Sequence, residues 1–85
     1  MKESQILNLK PSKKWEFREY KKGGLIENGI ALNETGLFIY KLCDGKREVK
    51  EIIDAVFEKY EVDNKTATDD TIKCLKVLLD EEAIE

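Results

Sequence analysis

The sequence predicts a small α+β domain in which a three-stranded antiparallel sheet is followed by three helices. Three observations point there. The stretch Lys-Trp-Glu-Phe-Arg-Glu-Tyr from Lys14 alternates apolar and polar residues with the period of a half-buried strand. Asn28-Gly29, the dipeptide that best fits a tight type I′ turn, lies between the apolar runs Leu25-Ile26 and Ile30-Ala31-Leu32. From Val49 the apolar residues Ile52, Ile53, Val56, Phe57 and Tyr60 follow at helical spacing. With 85 residues there is material for one core, and the stability of so small a core leaves little chain for extended loops.

Residues 1–13 show no sustained period, and Pro11-Ser12 reads as a turn before structure begins. Their order is left open, and residues 14–85 are taken as the domain. In the first strand Trp15 and Phe17 share one face, opposite Glu16 and Arg18, and are expected to pack against helices. Lys21, Lys22, Gly23 and Gly24 read as the break that ends it, the glycines allowing a tight reversal. A two-residue turn at Asn28-Gly29 sets Glu27 opposite Ile30, Ile26 opposite Ala31, and Leu25 opposite Leu32. So small a sheet needs helices against its apolar face.

Asn33 is a good helix cap, Glu34 suits a first turn, and Asp44-Gly45 closes the apolar segment through Leu42. This helix is short and apolar, so it is expected at the centre. The second helix is expected from about Glu48 to Tyr60, residues 61–67 as a polar loop, and the third from Thr66 or Thr68 to about Glu82. Ile84 then packs back on the domain.

Composition excludes several functions. The chain has no histidine and two cysteines, so the commonest neutral-pH base is missing and a thiolate zinc cage cannot be completed. No metal site, cofactor or catalytic residue is expected. No apolar run approaches the roughly 20 residues that cross a bilayer, and the mixed polar start reads as no signal peptide. A cytoplasmic protein with reduced thiols is the expectation. The net charge of −3 is unevenly placed: residues 1–24 carry +4, 25–46 carry −1 and 47–85 carry −6. An acidic second half repels nucleic acid, whereas a basic start attracts an acidic partner surface.

The third helix has a wider apolar surface than a core contact needs. Ile72, Leu75, Leu78 and Leu79 fill an arc about 120° wide. Cys74 and Val77 lie outside it, on a flank running through Asp70, Cys74, Val77 and Glu81. That flank either packs against the sheet or lines an open groove. The strand Ile30-Ala31-Leu32 carries no charge, proline or bulge signal to guard an edge, which permits addition of a foreign strand. It equally permits pairing with a second copy, or is short enough to need no guard. Roughly four to six backbone hydrogen bonds at about 1 kcal/mol net each, with two or three buried side chains, are enough for micromolar peptide capture.

Other candidates for chemistry read as structure. Cys43 and Cys74 read as small buried side chains, Asp69-Asp70 as a helix start, Asp80-Glu81-Glu82 as a solvated face, and Gly23-Gly24 lacks a nucleotide loop's flanking residues.

The run Ile30-Ala31-Leu32-Asn33-Glu34-Thr35-Gly36-Leu37 through Asp44-Gly45, then Val49-Lys50-Glu51-Ile52, resembles the pyrroloquinoline quinone biosynthesis D (PqqD-like) family. Asp69-Asp70-Thr71-Ile72 through Leu79 and Glu82-Ala83-Ile84 is similar to that family's last helix and its end. The resemblance covers about residues 15–84 and implies a winged helix-turn-helix-like arrangement. Glu48 stands where a Thr is common, so the second helix is expected to have a weaker or shifted cap, and Ala83 stands near a common Gly.

The resemblance implies a non-catalytic, cofactor-free module that binds the leader of a ribosomally made precursor peptide by strand addition and presents it to a radical S-adenosylmethionine maturase. On this chain it implies that Ile30, Ala31 and Leu32 receive the leader strand, that Asp70, Cys74 and Val77 flank it, and that Lys73 meets an acidic residue. A second surface around Lys13, Lys14, Lys21 and Lys22 is assigned to the maturase on charge alone. The alternatives are a winged-helix nucleic-acid-binding regulator, disfavoured by the acids around Lys73 and Lys76, and a structural homodimer subunit joined at sheet edges.

Overall fold

The computed structural model describes residues 7–85. Strands β1 (Phe17–Tyr20), β2 (Gly23–Ile26) and β3 (Ala31–Asn33) form an antiparallel sheet in sequence order. Helices α1 (Glu34–Leu42), α2 (Val49–Tyr60) and α3 (Asn64–Asp80) follow. The α+β order is therefore the expected one, and α1 is central, touching β2, β3, α2 and α3. Ile26, Ile39, Tyr40, Ile52, Leu75 and Leu78 meet around it in one buried core.

The β2–β3 hairpin corrects the expected register. The Ile26 N–H donates to the Ile30 carbonyl (2.8 Å) and the Gly29 N–H to the Ile26 carbonyl (2.8 Å), so the loop holds three residues, Glu27-Asn28-Gly29. Gly29 lies at φ +100°, which a residue with Cβ rarely adopts, and closes a glycine-bulged hairpin. Leu25 now faces Ala31 and Gly24 faces Leu32. A one-residue shift exchanges the faces of a strand, so Ile30 and Leu32 turn toward the core while Ala31 turns out. The larger side chains gain the burial.

Two further expectations change in the sheet. Gly23 and Gly24 are β2 residues, and the reversal is Lys21-Lys22. A Cβ on Gly24 would lie 2.8 Å from both the Arg18 carbonyl oxygen and Leu37 Cδ1, so glycine lets the sheet close onto α1. Trp15 precedes β1 and is 44% exposed, its indole N–H donating to the Glu82 carbonyl (3.0 Å). Only Phe17 packs inward, edge-on to Tyr40 at 5.6 Å.

The helix starts show what satisfies the free N–H groups. Asn33 caps α1 as expected, its side-chain oxygen accepting from the Gly36 N–H (2.7 Å). α3 begins earlier than expected because Asp63, and neither Thr66 nor Thr68, is the cap: its carboxylate accepts from the Thr66 N–H (2.7 Å). At α2 the Glu51 carboxylate accepts from the Glu48 N–H (3.0 Å). The chain's own start supplies two more acceptors, Leu9 to the Val49 N–H (2.9 Å) and Leu7 to the Lys50 N–H (3.4 Å). Glu48 and Glu51 thus form a capping box, and residues 7–9, whose leucines also pack on the core, add acceptors to it.

The two ends of the described chain then cross. Ser12 and Glu85 exchange backbone hydrogen bonds (both 3.0 Å), the Lys14 N–H donates to Ala83 (3.0 Å), and Ile84 is buried as expected. The Tyr40 hydroxyl joins this crossing to α1 by donating to the Trp15 carbonyl (2.7 Å). Burial pushes that phenol above its ordinary pKa.

Candidate peptide-binding groove

β3 lies at one end of the sheet order, so its outer side is an edge, unpaired among the described residues. In an antiparallel ladder the backbone groups of successive residues point alternately toward and away from the partner. The Ile30 carbonyl points to β2, where it accepts from Ile26, and the Ile30 N–H donates to Asn28 Oδ1 (3.3 Å). Leu32, opposite Gly24, has the same inward parity. The groups that point outward are therefore both those of Ala31 and the N–H of Asn33, whose carbonyl turns into α1. Of the three residues expected to receive a strand, the backbone of Ile30 and Leu32 is already used inside the hairpin. Asn33, read from sequence only as a helix cap, has the free edge N–H.

Beside this edge runs a groove of about 440 Å³. Ala31, Leu32 and Asn33 form one wall; Asp70, Lys73, Cys74 and Val77 of α3 form the other, with Ile39 and Leu78 at the floor. Six of the seven candidate peptide-contact residues thus line one space, and Ile30 does not. The flank is open: Val77 is 49% exposed and Cys74 half-buried, while Leu75 and Leu78, on the core side of the same helix, are closed. Glu81 lies beyond α3, with its carbonyl held by the Asn28 side-chain amide (3.2 Å).

From residue 70 to residue 77 a helix rises about 10 Å, the length of about three extended residues. Asp70 and Lys73 place one charge of each sign at one end, and neither is tied up in an ion pair among the described residues. The rest is apolar. Burial pushes the Cys74 thiol up to about 11 and that of Cys43 to about 12, so both are neutral thiols at pH 7. Cys74 acts here as a small apolar wall, and Cys43 is fully buried and donates to the Ile39 carbonyl (3.3 Å). Among the described residues no three His, Cys, Asp or Glu side chains gather as a metal site, and no helix is long and apolar enough to cross a membrane.

The lysines assigned to a second surface do not form one patch. Lys13 is spent structurally, its ammonium donating to the carbonyls of Lys41 (3.1 Å) and Cys43 (2.9 Å) at the end of α1. Lys14 is exposed next to it. Lys21 and Lys22 stand beyond the far end of β1, in the turn to β2.

Against known sequences, residues 21–84 match the family model of coenzyme PQQ synthesis protein D (PqqD). The chain belongs to the PqqD family. The match takes in both walls of the groove and leaves β1 outside it. No curated protein sequence matches. Among solved structures the chain is similar to TbiB1, determined in complex with the TbiA(beta) leader peptide, at 24% identity and a TM-score of 0.74. The likeness covers 91% of this chain and 95% of that one and shows a shared fold.

Proposed function

We propose that this PqqD-family chain binds the leader of a ribosomally made precursor peptide along β3 and presents it to a radical S-adenosylmethionine maturase. The observation that carries the reading is the open edge at Ala31 and Asn33 bordered by the half-apolar groove of α3. Family membership and the leader peptide bound by TbiB1 support it.

The geometry sets how affinity would be divided. Three outward backbone groups, fewer than the sequence suggested, yield about 3 kcal/mol net at about 1 kcal/mol each. Association costs about 4 kcal/mol or more in lost freedom, so side chains entering the groove must supply the surplus. Leu32 faces the helices whereas Ala31 faces out, and directly opposed strand residues share a face. A leader strand would therefore send alternate residues inward beside Leu32, toward Cys74 and Val77. Apolar residues two apart, with a carboxylate in reach of Lys73, fit this groove. No group here needs to turn over: holding the leader raises the concentration of the core peptide at the enzyme.

The test is calorimetric titration of this protein with the leader of the precursor encoded beside it, and modification of that precursor by the neighbouring maturase with and without this protein. Micromolar binding with one peptide per chain and faster modification are expected. No heat up to millimolar peptide, or a mass in dilute solution showing β3 paired with a second copy in the peptide's presence, would remove the proposal.

A further inference from the structure

The side of the sheet turned away from the helices carries a row of residues that the groove does not use. Arg18 stands opposite Leu25, and Leu25 opposite Ala31; residues directly opposite in a sheet share a face. Ile26, next to Leu25, is fully buried in the core beneath the sheet, so the row of Ala31, Leu25 and Arg18 lies on the outer face. Leu25 is 36% exposed there, and Ala31, also exposed, has only a methyl group to place between Leu25 and the β3 edge. A hollow of about 250 Å³ opens beside Leu25 toward the hairpin loop, lined by Arg18, Leu25, Ile26, Glu27 and Gly29. Gly29 leaves it open, since even a Cβ there would meet no atom within 4 Å. The Arg18 Nε lies 3.7 Å from Glu27 Oε1, too far for a hydrogen bond, and both side chains are exposed. This loose pair leaves the guanidinium able to fold over a guest.

We infer, resting on the function proposed above, that this row is a second subsite for the leader and takes an aromatic side chain from the leader residue opposite Ala31. The face is continuous with the receptive edge, because Ala31 belongs to both. A strand added at β3 turns the residues opposite Ile30 and Leu32 toward the helices and the one between them outward. That outward side chain lies over Ala31, whose small size leaves the path to Leu25 clear. Leu25 stands two strand spacings, about 10 Å, from the added backbone. Contacts beyond the nearest cross-strand neighbour fall to aromatic and other long side chains, and a ring meeting the Leu25 branch closes the span, whereas Val, Ile or Leu stops above Ala31. A ring also offers its face to the Arg18 guanidinium, which a Lys or Arg of equal reach would repel. The leader segment is thereby held on both faces of the sheet, and its recognition element is a triplet of apolar, aromatic and apolar residues. With three outward backbone groups at the edge, the ring supplies part of the surplus that binding requires.

The probe is the leader of the precursor encoded beside this protein, titrated into the full chain with isotope-labelled leucine methyl groups. At saturation the Leu25 methyl resonances should show a ring-current shift. A leader with its aromatic residue replaced by Leu should lose that shift and bind about fivefold more weakly. On Leu25→Ala, whose melting temperature checks folding, the two leaders should bind within about twofold of each other, and Val77→Asp should weaken both by the same factor. Leu25 methyl groups unmoved at saturation, a bound leader segment without the apolar, aromatic, apolar triplet, or an aromatic-to-leucine loss undiminished in Leu25→Ala would overturn the inference while leader binding itself stands. A leader that does not bind the unaltered chain at all would overturn the proposed function and this inference with it.

Discussion

The sheet has two edges, and they are built differently. β1 is Phe-Arg-Glu-Tyr, with Arg18 near Glu27 (3.7 Å) and Glu19 held by Lys41, so charged side chains stand along its border. β3 is Ala-Leu-Asn, and its border is a half-apolar groove whose charges, Asp70 and Lys73, stand on α3 across from it. An edge strand invites pairing with any extended chain, and inward or flanking charges are a common means of refusing it. On the function proposed above, β3 is the receptive edge and β1 the guarded one.

The largest effect should come from a proline that removes one outward N–H. Ala31→Pro leaves the β2–β3 ladder intact because the Ala31 N–H points away from β2. It should weaken leader binding about thirtyfold through the lost bonds and the ring's bulk. Glu19→Pro, of the same parity on β1, should leave affinity unchanged; titration calorimetry on both variants reads the contrast. Equal losses would make the edges equivalent.

Next is Val77→Asp. A carboxylate facing the apolar part of the groove should cost about tenfold in affinity, while the melting temperature stays put because Val77 is half exposed. A smaller effect separates the core from both edges. Thr71 is fully buried and its hydroxyl has no partner. Thr71→Val, which removes that polar atom without changing shape, should stabilise by about 1 kcal/mol in denaturant unfolding and leave leader affinity alone.

The smallest effect is that of acid. Backbone N–H bonds from Lys46 and Arg47 hold the Asp44 carboxyl below its usual range, and the Thr66 N–H does the same for Asp63. A carboxyl whose folded pKa is depressed contributes its stability above the ordinary value of about 4, and loses it as pH falls through the folded value. Unfolding midpoints should therefore decline below about pH 4, and Asp63→Asn should flatten that decline slightly.

What could be read from the sequence was whatever local chemistry decides. Asn33 caps wherever its side chain reaches the third residue on, and the stripe from Val49 to Tyr60 has only one helical face. The hairpin register was not of this kind. Asn28-Gly29 suits a two-residue turn, but the burial of Ile30 and Leu32, a property of the whole core, selects the bulged loop. That one-residue shift also moved the free backbone groups from a run at Ile30–Leu32 to Ala31 and Asn33. The flank of α3 was legible because Cys74 and Val77 exceed the core arc; whether it was open was not, since that depends on how far β3 stands from it. The support of α2 by Leu7 and Leu9 was hidden for a related reason. Backbone acceptors carry no sequence signal, and a segment without periodicity showed only its Pro11-Ser12 turn.

The most direct measurement is amide hydrogen exchange at the two edges in a monomeric sample, with and without saturating leader. The N–H groups of Ala31 and Asn33 should exchange fast in the free protein and be protected by the peptide, while those of Phe17 and Glu19 stay as they were. Protection at Ala31 and Asn33 already complete without peptide, or unaltered by it, would contradict strand addition at β3.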